Sequence, residues 1–166
     1  MTDNRILADH QAPLVRETAR RLTNGASTVE EKLERLFLFV RDEIRFGFPA
    51  QGDLVSASET IRLGMGQCNT KSALFLALCR AVGIPARIHF SEIRKEIQRG
   101  LFTGIAFRLM PDRISHAWVE VEVNGGWQSI DSFINDRPFY EAGKAELRER
   151  GWDVGFSIAC SSGESS

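Results

Sequence analysis

Gly64-Met-Gly-Gln-Cys68-Asn-Thr-Lys-Ser-Ala-Leu-Phe-Leu-Ala-Leu-Cys79-Arg-Ala-Val-Gly83 is the stretch on which the reading of the chain turns. Its glycines at 64 and 66 predict a flexible loop. The spacing then predicts a helix from Cys68 to Val82 with Leu74, Phe75, Leu78 and Val82 on its apolar face, stopped by Gly83. Pro85 cannot continue that helix, and Pro85 to Phe90 reads as a strand. Cys68 therefore opens a helix. Unpaired N–H groups and the positive end of the helix dipole gather at such a position and favour an anion, which for cysteine is the nucleophilic thiolate. The same N–H groups, Cys68's own included, can face an oxyanion once the sulfur has attacked a carbonyl. The competing reading is a small buried residue that happens to begin a helix.

The remaining thiols are weaker candidates. Cys79 sits within the helix between Leu78 and Arg80, as a core residue would, and Cys160 lies near the C-terminus. Three cysteines in 166 residues, none in a C-x-x-C pair, exclude a disulfide framework, a zinc ribbon and a thioredoxin-type dithiol. The start, MTDNRILADHQ, has neither the basic segment nor the apolar run of a signal peptide, and no apolar stretch approaches a membrane span. A cytoplasmic location with free thiols is the resulting expectation. With 21 Lys+Arg against 22 Asp+Glu and a net charge of −1, no general attraction to nucleic acid or to a membrane is expected. An apolar content of 43% suits one globular domain, expected over residues 1–160, with a frayed tail at 161–166.

Upstream of the central stretch, helical spacing dominates. Pro13 to Thr23 reads as a polar helix stopped at Asn24-Gly25. Ser27-x-x-Glu30 and Thr28-x-x-Glu31 overlap as two capping boxes, and Leu33, Leu36, Phe37, Val40 and Ile44 form an apolar stripe behind them. Phe46-Gly47-Phe48-Pro49 ends that helix, and a short helical turn is expected at Ser58 to Leu63.

Downstream, residues 91–113 are ambiguous. Ile93, Ile97 and Leu101 suggest a helix, whereas Ile105-Ala-Phe-Arg-Leu109 suggests a strand. His116-Ala-Trp-Val-Glu-Val-Glu-Val123 alternates cleanly, with Ala117, Val119, Val121 and Val123 on one face and His116, Trp118, Glu120 and Glu122 on the other. Asn124-Gly125 is the strongest hairpin signal in the chain, with Trp127 to Asp131 as the return strand. A last helix is expected over Glu141 to Arg150, stopped by Gly151. Helices first and an antiparallel sheet afterwards define an α+β chain.

A nucleophilic thiol needs a base, and the base needs an acceptor to orient it. A two-residue turn at Asn124-Gly125 pairs Val123 with Gly126, Glu122 with Trp127 and Trp118 with Asp131. His116 and Asp131 then become diagonal neighbours on one face of the sheet, so Asp131 can accept from one ring nitrogen and leave the other for Cys68. Each residue also has a plainer reading: a surface histidine, and a strand-end turn former followed by Ser132. His89 has no carboxylate close by in sequence, and His10 lies near the N-terminus. No closely spaced ligand pair suggests a metal, and Gly64-x-Gly66 lacks the remainder of either phosphate-binding motif, so no cofactor is expected.

Gly66-Gln-Cys68 with Lys71-Ser-Ala-Leu-Phe-Leu-Ala-Leu-Cys-Arg-Ala-Val-Gly-Ile-Pro-Ala-Arg87 resembles the nucleophile helix of the transglutaminase-like superfamily. His116-Ala-Trp-Val-Glu-Val, then Asn-Gly-Gly-Trp127 and Ser-Ile-Asp131, resemble its His and Asp strands, and the likeness spans roughly residues 28 to 135. The resemblance implies a papain-like α+β core with N-terminal helices and the nucleophile helix packed on an antiparallel sheet. It further implies Cys68 as nucleophile, His116 as general base and acid, and Asp131 as orienter. Asn69 stands where eukaryotic-type transglutaminases carry Trp, Arg62 where papain-type enzymes carry an oxyanion Gln, and no Trp precedes position 118. The second oxyanion donor is thus open; Gln67 is a candidate for it, and Trp118 for lining the cleft. These departures favour a thiol hydrolase acting on a peptide, protein or small amide over a crosslinking enzyme. Transfer of the acyl group to an amine is the alternative. A non-catalytic binding module is the alternative of another class, although such a module has no chemical need for all three triad residues.

Overall fold

A computed structural model describes residues 7–159. Cys160 and the tail expected at 161–166 lie outside the described residues. Contacts group the chain into two compact units. The first runs to Phe90 and resumes over Ala117–Asp136; the second takes Ser91–His116 and the chain from Arg137 onward.

The first unit is built around the helix that Cys68 opens. Helix α1 (Pro13–Thr23) ends at Asn24-Gly25 as its sequence predicts, with Gly25 at φ 73°. Helix α2 (Val29–Leu38) uses the second of the two overlapping caps: Thr28 accepts the Glu31 N–H at 3.1 Å, while the Glu31 carboxylate accepts from Ser27 N–H at 2.6 Å. It continues as one wide π turn over Phe39–Glu43 and then straightens at Ile44 into strand β1 (Arg45–Phe46). Helix α3 (Ala57–Leu63) starts on the Ser56 hydroxyl and ends on Gly64, whose φ of 62° supplies the left-handed stop.

The flexible loop expected at Gly64 to Gln67 is instead ordered. Met65–Gly66 forms strand β2 and pairs in parallel with β1, Arg45 opposite Met65 and Phe46 opposite Gly66. Gly66 is required for close approach rather than for freedom. A Cβ there would lie 2.6 Å from Thr70 Oγ1 and 3.1 Å from Lys71 Cγ.

Helix α4 (Cys68–Ala81) follows, and every residue from Thr70 to Cys79 is buried. The expected apolar face is therefore only part of it, since Lys71 and Ser72 are buried as well. Helices α1, α2 and α3 all pack against α4. The hydrophobic core joins Leu74, Phe75 and Leu78 of α4 to Val15 of α1, to Leu36 and Val40 of the α2 segment, and to Val119 and Val121 of the sheet.

That sheet has the order β3-β4-β5, from β3 (Ala86–Arg94), β4 (Arg113–Val123) and β5 (Gly126–Ile130). Strands β4 and β5 are antiparallel in the expected register, Val123 opposite Gly126, Glu122 opposite Trp127 and Val119 opposite Ile130. Asn124 and Gly125 both take positive φ, as a tight hairpin turn requires. Ala117, Val119, Val121 and Val123 are buried, whereas Trp118, Glu120 and Glu122 remain half-exposed.

In the second unit, two expectations are exchanged. Ile93 lies in β3, which runs to Arg94, and Ile97 lies in a short 3₁₀ turn over Lys95–Gln98. The segment read as a strand is helix α5 (Gly104–Leu109). Helix α6 (Arg137–Arg150) begins four residues before the expected Glu141, with Pro138 in its first turn, where no N–H is needed. Beyond it, β6 (Val154–Gly155) and β7 (Ile158–Ala159) form a small hairpin whose turn residues, Phe156 and Ser157, sit at φ 51° and 57°. Main-chain bonds from Phe156 N to Arg99 O and from Ser157 N to Ile97 O, each 2.8 Å, hold this strained turn in place.

Candidate active site

Cys68 is half-buried at the first position of α4, immediately before a run of fully buried residues. Gln67 caps the helix: its Oε1 accepts the Asn69 N–H at 3.1 Å, and its own N–H donates to Thr70 Oγ1 at 3.0 Å. The same Oε1 lies 3.0 Å from Cys68 Sγ and accepts its S–H, with Asn69 Oδ1 at 3.7 Å on the other flank. Both carboxamide nitrogens turn to Asp53, in the short turn Gly52–Leu54. Gln67 Nε2 donates to its Oδ1, and Asn69 Nδ2 donates to its Oδ2 at 2.9 Å. As placed, Gln67 thus presents a carbonyl to the sulfur and directs its amide to Asp53.

One turn further, Lys71 is buried completely, and its ammonium donates to three carbonyls: Ile44 O at 2.6 Å, Ile134 O at 2.8 Å and Arg41 O at 3.2 Å. Three donors meet three acceptors, so the charged nitrogen is fully satisfied. Burial nevertheless pushes the lysine down to about 7, against the pull of the Asp136 and Asp42 carboxylates and aided by Arg41. Asp136 is itself buried and accepts the Phe46 N–H at 2.7 Å. Ser72, four residues and one helical turn from Cys68, donates to the Ala117 carbonyl on β4 at 3.0 Å. Burial pushes the Cys79 thiol well up, which keeps it protonated and inert.

His116 is the fourth residue of β4, half-buried and directly before Ala117, and Asp131 is exposed, directly after the end of β5. Cys68 and Asp131 belong to the first unit, while His116 is the last residue of a segment in the second. Trp118 stacks on His89 with ring centroids 4.3 Å apart and planes 14° from parallel. His89 does have a carboxylate partner, from the neighbouring strand: its Nε2 lies 2.8 Å from Glu120 Oε2, which also accepts from Arg87 Nε at 2.6 Å. Those bonds, Arg87 first, hold the Glu120 carboxyl below its ordinary range. Arg87 also lies over the Trp127 ring, 4.1 Å from its centroid.

Three participants escaped the sequence reading. Asp53 carries no local signal, because its partners stand 14 and 16 residues away. Glu120 is separated from His89 by 31 residues. Lys71 had a signal that went unused: a lone charge inside an otherwise apolar helical run needs partners when buried.

With this geometry in hand, the family model of the transglutaminase-like superfamily matches residues 16–132. The chain belongs to that superfamily. Solved structures agree on the fold, a mixed helix and sheet core with an antiparallel sheet. A candidate cysteine protease from Cytophaga hutchinsonii is similar at a TM-score of 0.58 and 20% identity, over 80% of this chain and 40% of that one. The periplasmic domain of TgpA from Pseudomonas aeruginosa, bound to ethylmercury, is similar at 0.54 and 21%, over 76% and 45%. A candidate protease from Parabacteroides distasonis is similar at 0.52 and 16%, over 78% and 26%. This chain therefore spans less than half the length of each of these structures. No curated protein sequence matches it. Among the described residues, no helix is long and apolar enough to cross a membrane.

Proposed function

We propose that this domain is a cysteine-dependent hydrolase of amide bonds, with Cys68 as nucleophile, His116 as general base and acid, and Asp131 orienting the imidazole. The observation that carries the reading is Cys68's half-open position on the first turn of a helix buried from Thr70 to Cys79. A structural cysteine in that helix looks like Cys79, wholly buried and inert. The Ser72–Ala117 hydrogen bond supports His116 as the base, since it ties the helix one turn beyond Cys68 to the residue that follows His116.

In this reading His116 takes the thiol proton and the thiolate attacks the carbonyl carbon of a peptide, protein or small amide. Main-chain N–H groups at the start of α4 stabilise the oxyanion. His116 returns the proton to the leaving amine, the C–N bond breaks, and a thioester remains on Cys68. Water, deprotonated by His116, then attacks the thioester; the acid departs and the thiol is restored. Trp118, two residues from His116 on the same face of β4, is assigned to the substrate-facing surface.

Intact mass spectrometry after incubation with a peptide and amide library tests this, with wild type against Cys68→Ala. An adduct on wild type alone that decays in water is the expected result. Decay only on addition of an amine indicates acyl transfer, and the absence of any adduct would leave a binding module.

A further inference from the structure

The chain from Phe46 to Leu54 forms an arch with both feet on residues that flank Cys68. One foot is Gly47, whose N–H donates to the Gly66 carbonyl at 3.0 Å, two residues before the cysteine. The other is Asp53, which takes the Gln67 amide on one carboxylate oxygen and the Asn69 amide on the other. Between them Pro49 is buried, and its carbonyl accepts the Gly52 N–H at 2.9 Å to close the bend. Paired strand residues face the same way. A Cβ on Gly66, opposite Phe46, would meet Thr70 and Lys71, so the Phe46 side of the β1–β2 pair is the side on which α4 begins. Phe48 packs edge-on against Phe46, ring centroids 5.5 Å apart, and is 49% exposed. Leu54, directly after Asp53, is 68% exposed. Two large apolar side chains are thus left open to water, one at each foot. Asp53 is the only charged residue from Phe46 to Leu54, and both its oxygens are engaged.

We propose that this arch is the specificity element of the site, and that Phe48 and Leu54 receive an apolar or aromatic side chain carried by the substrate within a residue or two of the scissile amide. The inference rests on Cys68 being the nucleophile, and its test separates the two claims. A carbonyl brought to Cys68 Sγ lays the groups on either side of it over the residues around Cys68, and those residues hold the arch. An apolar side chain there gains by burial against Phe48 and Leu54. A charged one gives up its water for little in return. A carboxylate would face Asp53, and an ammonium would compete with the two amides already on it.

The test is the rate at which the Cys68 sulfur displaces chloride from the N-chloroacetyl amides of phenylalanine, leucine, asparagine and aspartate, read by peptide mass spectrometry. The four reagents share one reactive group, and the leucine and asparagine side chains have nearly the same shape, so their ratio reports apolar contact. Wild type is expected to react roughly tenfold faster with the leucine and phenylalanine reagents than with the asparagine one. Leu54→Ser and Phe48→Ser should each lower that ratio by roughly threefold or more. Leu54→Lys should raise the rate with the aspartate reagent relative to asparagine. Iodoacetamide carries no side chain and should label Cys68 alike in wild type and all three variants. Equal rates for leucine and asparagine in wild type, or a ratio that the serine variants leave unchanged, overturn the proposal and leave the nucleophile in place. Reagents that label Cys68 no faster than Cys79 in folded protein remove the nucleophile itself. Should Phe48→Ser fail to fold, Leu54→Ser decides alone, because Leu54 lies in an exposed turn.

Discussion

The Ser72 hydroxyl donates to the Ala117 carbonyl at 3.0 Å, across 45 residues of chain and between two buried positions. One side chain thereby sets the height of α4 against β4. Ser72→Ala removes that donor from a buried carbonyl and should cost about 1–2 kcal/mol. Urea denaturation should show a lower midpoint at unchanged slope. An unchanged midpoint would mean that the carbonyl finds another donor.

Cys68 and Cys79 share a helix and differ sharply in surroundings. Iodoacetamide at mildly acidic pH should label Cys68 in the folded protein and leave Cys79 untouched until the chain is unfolded, because burial keeps the Cys79 thiol protonated. Comparable labelling of both in native protein would contradict the arrangement of α4.

Lys71 should make stability depend on pH, with a sign set by its lowered value of about 7. Below that pH, folded and unfolded chains both hold the proton and the burial cost is fully felt. Above it the folded chain releases the proton, whereas the unfolded chain keeps it to about 10.4, the ordinary lysine value. The unfolded state then binds more protons, so stability rises with pH, by up to about 1.4 kcal/mol per unit. Lys71→Met should lose this slope. At pH 7 two effects of this substitution oppose each other: the Arg41, Ile44 and Ile134 carbonyls lose their common donor, and the burial cost of the charge is relieved. Denaturation curves at several pH values measure the slope.

Gly66→Ala should destabilise the protein by about 1–3 kcal/mol, since the new methyl meets Thr70 Oγ1 at 2.6 Å, and that hydroxyl is engaged with Gln67 N–H in the helix cap. Thermal denaturation reads the loss. Gly64→Ala should also destabilise, through its φ of 62° rather than through contact, because nothing lies near the position a Cβ would take.

What could be read from the sequence was what neighbouring residues decide among themselves. Asn124-Gly125 fixed the hairpin, and with it the register down to Val119 opposite Ile130. Thr28 and Glu31 fixed the start of α2. Residues 104–109 defeated the same approach because Ile105 and Leu109 are 76% and 79% exposed. Apolar periodicity reports a buried face, and this segment has none to report. The loop expected before Cys68 failed for another reason, since β2 depends on pairing with Arg45–Phe46, some twenty residues earlier. The resemblance supplied the superfamily, and the family match bears it out. The surroundings of Cys68 were not legible, because Asp53 reaches Gln67 and Asn69 only through the folded chain.

The three carbonyls on Lys71 belong to stretches of chain that lie far apart in sequence: the turn ending the α2 segment, and the segment after β5. Neither stretch can peel away from the core alone without taking an acceptor from the buried Lys71 nitrogen. The stretch containing Ile134, which sequence position alone would mark as an independently fraying connector, is thereby made to open only when the core does. Its amides should exchange hydrogen at the rate of global unfolding, and the segment that follows β5, Asp131 included, inherits the cooperativity of the whole core.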